Sequence, residues 1–149
     1  LAEALHLSGT ARLTIRLASS KPAANLSVWL VQLPFDARPI GSEGRVGVVT
    51  RGWADPQNYR ALTHGGNYDS KEHGVPLLPG KFVDLTFDLE PDDQVIPAGK
   101  QLGLMIFSSD RDFTLWPRAG TELTVDLGRT AIELPVVGGS TALRRAIGK

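Results

Sequence analysis

Across residues 83–89 apolar and polar side chains alternate without interruption, Val83, Leu85, Phe87 and Leu89 on one side and Asp84, Thr86 and Asp88 on the other. A period of two predicts a strand with one face in a core and the other in water. A Pro79-Gly80 turn precedes it; residues 90–93 and 97–100, polar and proline-flanked, predict a connecting loop and a turn after it. Residues 102–107 are apolar on both faces apart from Gly103, the pattern of a central strand buried on both sides. Two long strands joined by a bulky loop predict the middle of a β-sandwich.

The same reading extends along the chain. Residues 5–17 predict one long strand with a bulge at Ser8-Gly9, Leu13, Ile15 and Leu17 facing in and Arg12, Thr14 and Arg16 facing out. Residues 26–33 are apolar on both faces and predict a buried strand with Trp29 in the core. A loop follows over 34–44, then a strand over 45–50 that Arg51-Gly52-Trp53 leaves. Asp55 as N-cap with Pro56 behind it predicts a short helical turn. Residues 63–74 read as a long exposed loop, 113–116 as a short strand stopped by Pro117, and 123–125 and 131–136 as two further strands. Residues 1–139 are thus expected to form one domain and 140–149 a short basic C-terminal tail with frayed helical character. Seven to nine strands with almost no helix predict an all-β fold, an antiparallel β-sandwich or jelly roll.

Composition narrows the function more than the fold. Sixteen basic and sixteen acidic residues cancel, which leaves no electrostatic footprint for nucleic acid or an anionic membrane. Cysteine is absent, which excludes disulfides, thiol nucleophiles and thiolate metal sites. No apolar run approaches the ~20 residues of a membrane-spanning helix. The 149 residues suit one domain. Leu1 stands first and Met105 is the sole methionine, so the chain is expected to be a processed product or, by preference, a piece of something longer.

Several ordered features carry a resemblance. These are Leu7-Ser8-Gly9-Thr10 opening a strand, Trp29-Leu30-Val31, and Val49-Thr50-Arg51-Gly52-Trp53 ahead of a turn with Asp55. Further on come Leu78-Pro79-Gly80 before the alternating strand and Ile96-Pro97-Ala98-Gly99 before the next. In this order and spacing the set resembles the C-terminal domain of the X-prolyl dipeptidyl-peptidase family, with cocaine esterase and α-amino-acid ester hydrolases among its relatives. The resemblance implies a jelly roll similar to galactose-binding domains, packed on an α/β-hydrolase domain of the same parent chain that carries the catalytic serine, aspartate and histidine. It also leaves room for a homo-oligomer and, with the composition, leans towards a secreted bacterial enzyme. Where family members often carry His-Arg after the glycine equivalent to Gly99, this chain has Lys100-Gln101.

Within the chain itself nothing supplies catalysis. A hydrolase nucleophile elbow needs Gly-x-Ser-x-Gly, and Gly41-Ser42-Glu43-Gly44 has the wrong spacing. His6 reads as a surface residue beside the first strand. His64 and His73, with Asp69 and Glu72 between them, match no metal-ligand spacing and read as a solvated loop. Asp92, Asp93, Asp110 and Asp112 have the chemistry of calcium ligands, but turn-forming roles explain them more simply. No cofactor, metal site or catalytic residue is therefore assigned. Trp29, Trp53 and Trp116, with Tyr59 and Tyr68, are the candidates for stacking. Arg51, Trp53 and Tyr59 are the candidate contacts to another domain or a ligand; for Trp53 local packing stays open as well. Two functions follow: a non-catalytic accessory domain of a serine hydrolase, or an autonomous module that binds a carbohydrate or other ligand. An exposed apolar face would mark the first and a small aromatic-lined groove the second.

Overall fold

The computed structural model describes residues 1–35, 47–66, 73–110 and 112–149. Among these residues eight strands run in the order β1 (Leu5–Gly9), β2 (Arg12–Ser19), β3 (Leu26–Leu33), β4 (Val48–Ala54), β5 (Val83–Asp88), β6 (Asp92–Ile96), β7 (Gln101–Phe107) and β8 (Leu123–Glu133). A 3-10 turn at Pro56–Asn58 follows β4, and a helix, α1 (Gly139–Ala146), follows β8. The pairings are antiparallel and form one sheet in the order β5-β2-β8, another in the order β4-β3-β7, and a β1-β6 ribbon. The ribbon lies against β4, where the Glu90 N–H donates to the Arg51 carbonyl over 2.7 Å and Gln94 Nε2 to the Val49 carbonyl over 3.3 Å. This is an all-β sandwich.

Register explains the core. Leu13 faces Phe87, Ile15 faces Leu85 and Leu17 faces Val83, so the apolar sets of β2 and β5 meet on one face. Leu26, Val28 and Leu30 of β3 close on them from the other sheet, and these residues form one buried cluster. Opposite that cluster, Arg12 sits between Asp88 and Glu133, and Arg16 between Asp84 and Asp126. Arg12 grips Asp88 with two hydrogen bonds, 2.7 and 3.1 Å long, and Arg16 reaches Asp84 at 3.0 Å. The outer face of this sheet is therefore a charge ladder whose members neutralise one another across the strands.

Five expectations are corrected. Residues 5–17 form two strands rather than one, because β1 pairs with β6 while β2 joins the β5-β2-β8 sheet. Part of the expected polar connection belongs to that partner strand, Asp92–Ile96, along which Asp93 is exposed while Asp92, with Gln94, lies on the other face towards β4. The strand expected to end at Thr50 continues as β4 to Ala54, since Gly52 and Trp53 stay in register with Val28 and Ser27; its expected first residues, Arg45 and Val46, lie outside the described residues. Residues 123–125 and 131–136 are largely one strand, β8, with a register shift opposite the span from Thr14 to Arg16. The strands at 83–89 and 102–107 fall in different sheets, and β7 lies at the edge of its sheet, half-buried, where a central strand was expected. Its outer face is apolar without full cover.

Gly52 shows how closely the layers approach. A Cβ there would lie 2.6 Å from Leu89 Cδ2 and 3.1 Å from Leu89 Cα, so β4 passes over the end of β5 at a distance that leaves no space for a side chain. At the far end of the chain, Ala146 of α1 is buried, and its carbonyl accepts from the Ala2 N–H over 2.6 Å.

Candidate functional site

The cross-strand register of β3 and β4 sets Arg51 beside Trp29, and Trp53 beside Ser27, on the outer face of their sheet. From β7 the same register adds Met105 and Phe107. After β7 the chain folds over this face instead of making the expected strand at 113–116. The Phe113 and Thr114 N–H groups both donate to the Asp110 carbonyl, over 2.9 and 2.8 Å, and the Thr114 hydroxyl accepts from the Asp110 N–H over 3.1 Å. This local bonding around the Asp110 carbonyl turns the chain at 112–113 and excludes a strand.

Asp110 is the anchor of the arrangement. Its carboxylate is buried, and Oδ2 accepts from both indoles, Trp29 Nε1 at 2.9 Å and Trp53 Nε1 at 3.3 Å. Trp29 is buried as its pattern predicts, but on this outer face and not in the cluster between the sheets, with Phe107 edge-on at 5.2 Å. Arg51 completes the cluster: its guanidinium carbon lies 5.2 Å from the Trp29 ring and 4.7 Å from the Phe113 ring, stacked between them. Phe113 in turn leans on Trp53, the ring centres 5.6 Å apart. Sequence reasoning weighed Asp110 for calcium and favoured a turn, whose local bonds its backbone does make; the two indole donors were missed, because nothing along the chain shows which donors a distant carboxylate will meet.

Beyond this anchor the arm is exposed. Leu115 is 87% accessible, with Phe113 and Trp116 at 57% and 62%. Asn25 Nδ2 donates to the Leu115 carbonyl and holds the arm down at its tip. Between the arm and β4 lies an open cleft of about 640 Å³ lined by Arg51, Trp53, Glu90, Asp92, Gln94 and Phe113, among others. Arg51 and Trp53 are thus brought together. Tyr59 is elsewhere: it follows the 3-10 turn, where Asp55 caps Gln57 over 2.9 Å as expected, and lines a separate groove with Arg60, Leu78 and Phe82.

The other candidates are dispersed. Asp93 pairs with His6 at 2.7 Å and accepts from the Ser8 hydroxyl at 3.1 Å, while Asp92 accepts from Gln94 at 2.7 Å. His64 Nε2 lies 3.4 Å from Arg12 Nη1; Tyr68, Asp69 and Glu72 lie outside the described residues. Among the described residues no three His, Asp or Glu side chains gather as a metal-binding group. The bonds from His6 and then Ser8 hold the Asp93 carboxyl below its ordinary value. A lowered folded-state value means that the pair supports the fold above about pH 4 and loses that support as acid is added. Asp93→Asn is expected to flatten the acid limb of stability, measured by urea unfolding from about pH 5 down to pH 2; an unchanged limb would show that the pair contributes nothing.

What these features define is an all-β sandwich domain with an aromatic outer face. Residues 1–145 match the X-Pro dipeptidyl-peptidase C-terminal non-catalytic domain, and the chain belongs to that family. It is 54% identical over 143 residues to a candidate Xaa-Pro dipeptidyl-peptidase of Rhodopirellula baltica, covering 96% of this chain and 21% of that protein. To the Xaa-Pro dipeptidyl-peptidase of Lactobacillus delbrueckii subsp. lactis it is 33% identical, over 89% of this chain and 19% of that one. The chain therefore spans about a fifth of the length of these curated relatives. Its fold is similar to part of an α-amino acid ester hydrolase, with TM-score 0.65 and 17% identity over 92% of this chain and 24% of that one. A CocE/NonD family hydrolase from Staphylococcus aureus gives TM-score 0.65 and 15% identity, over 92% of this chain and 29% of that one.

Proposed function

We propose that this domain packs against an α/β-hydrolase domain of the same parent chain and helps shape the entrance to its active site, in a serine hydrolase that releases X-Pro dipeptides. The observation that carries the reading is the outer face of the β4-β3-β7 sheet. There an apolar edge strand and the exposed Phe113, Leu115 and Trp116 lie together, whereas the opposite sheet is crossed by ion pairs and exposes one large apolar side chain among the described residues, Leu127. Exposed apolar side chains grouped in this way mark a surface that is covered in use. The relatives' greater length supports a partner within the same chain. Arg51 and Trp53 flank this face and serve as contacts to the partner or to what enters between the two domains.

The reading is tested in the full-length parent protein by the double substitution Leu115→Asp with Trp116→Asp. The expected result is rapid cleavage between the domains in limited proteolysis and a fall in kcat/KM on an X-Pro anilide of about tenfold or more, the effect of losing roughly 1.4 kcal/mol of positioning. Unaltered proteolysis and kinetics would overturn docking through the arm.

A further inference from the structure

We infer that the cleft between β4 and the arm is a subsite for the main chain of a peptide, with Arg51 as its donor pole and Glu90 as its acceptor pole. The inference deepens the function proposed above and rests on it for the choice of a peptide. It begins with unspent hydrogen-bonding capacity. The Arg51 guanidinium is fixed by stacking on Trp29 and Phe113, yet it makes no hydrogen bond or ion pair with a described residue. Five N–H donors in a rigid fork are held at the edge of a cleft. The Glu90 backbone is tied to β4 through the Arg51 carbonyl and the Thr50 hydroxyl, while its exposed carboxylate has no partner among the described residues. The two charges line the same cleft without approaching within the 4.0 Å of an ion pair. Asp92 is different, since Gln94 already occupies its carboxylate.

These poles restrict the ligand. An anion held by Arg51 meets repulsion from Glu90 and Asp92, and a cation held by the acids meets Arg51, so neither a phosphate nor a simple amine fits well. A group that accepts at one point and donates a few ångströms away uses both poles, and a peptide unit does so with its C=O and the next N–H. Trp53 and Phe113, inclined at 31°, provide an apolar wall for the side chains of that segment. A volume of about 640 Å³ accommodates two or three residues. Placed beside the proposed docking arm, such a cleft receives the part of a substrate that continues past the bond being cut, which makes Arg51 and Glu90 residues that select for peptide length.

The test uses the full-length parent protein and two substrates, Ala-Pro-p-nitroanilide and the hexapeptide amide Ala-Pro-Ala-Ala-Ala-Ala. In Arg51→Gln and in Glu90→Gln the ratio of KM for the hexapeptide to KM for the anilide is expected to rise about tenfold, as for loss of a charge-assisted hydrogen bond. An unchanged ratio overturns the subsite, as does a loss of kcat/KM shared equally by both substrates. Calorimetric titration with the hexapeptide amide in which the Pro–Ala bond is reduced, and so cannot be cut, reads the cleft without catalysis. Binding that weakens about tenfold in Arg51→Gln supports the subsite, and no binding to the unsubstituted protein overturns it. A protein that binds this peptide but hydrolyses neither substrate overturns the peptidase reading alone. Binding of cellohexaose in its place overturns the peptide and favours a carbohydrate module.

Discussion

Replacing Asp110 with alanine is expected to destabilise the domain by about 3 kcal/mol and to release the arm from the sheet. Two indole N–H groups converge on one carboxylate oxygen, and Trp29 is buried, so without the acceptor its Nε1 either stays unsatisfied or reaches water only as the arm lifts away. A buried donor left unsatisfied costs about 1–3 kcal/mol, and the second indole and the lost charge add to it. Asp110→Asn retains an oxygen and is expected to lose roughly half as much. Urea unfolding followed by tryptophan fluorescence measures both variants, and near-UV circular dichroism reports the indole environment. A loss below about 1 kcal/mol for the alanine variant, with the near-UV signal intact, would show that the arm is held by its backbone bonds alone.

Leu85→Ala is expected to cost about 3 kcal/mol, while Thr86→Ala, one residue along the same strand, costs about 0.5 kcal/mol. Leu85 is fully buried opposite Ile15, and its truncation leaves a cavity between two sheets that cannot close on it. Thr86 lies on the outer face and shares a hydroxyl contact of 3.1 Å with Thr14. Equilibrium unfolding of the two variants side by side checks the inward and outward faces of β5; equal losses would contradict the described register.

The alternation at β5 was legible because burial on one face leaves a period-two imprint on the sequence. β3, buried on both faces, was legible for the related reason that no polar residue is tolerated at its centre. Pattern reading failed where pairing decides structure. Asp92-Asp93-Gln94 has the composition of a turn, and it is a strand because β1 supplies a partner from the other end of the chain. β7 has the pattern of a central strand but an edge position, because an apolar face leaves the same imprint whether it is buried within the domain or left without full cover.

The candidate site divides in a similar way. Trp53 and Arg51 stood out as an aromatic and a cation next to a turn, and cross-strand register does place them in one cluster. Tyr59 carried the same signal yet lines another groove, since the 3-10 turn between them carries the chain away. Asp110 and Phe113 were not legible as partners of that cluster. Their contacts with Trp29 and Trp53 span more than fifty residues of sequence, and no local spacing encodes them.

The charge ladder on the β5-β2-β8 sheet has a kinetic consequence. Because Arg12 and Arg16 are each flanked by acids, and the chain as a whole has a formal charge of zero, the domain projects little long-range field. In the docking proposed above, the encounter with a domain of the same chain would then be governed by effective concentration, set by the length of the linker, rather than by electrostatic steering. Such an encounter should proceed at nearly the same rate in dilute buffer and in concentrated salt.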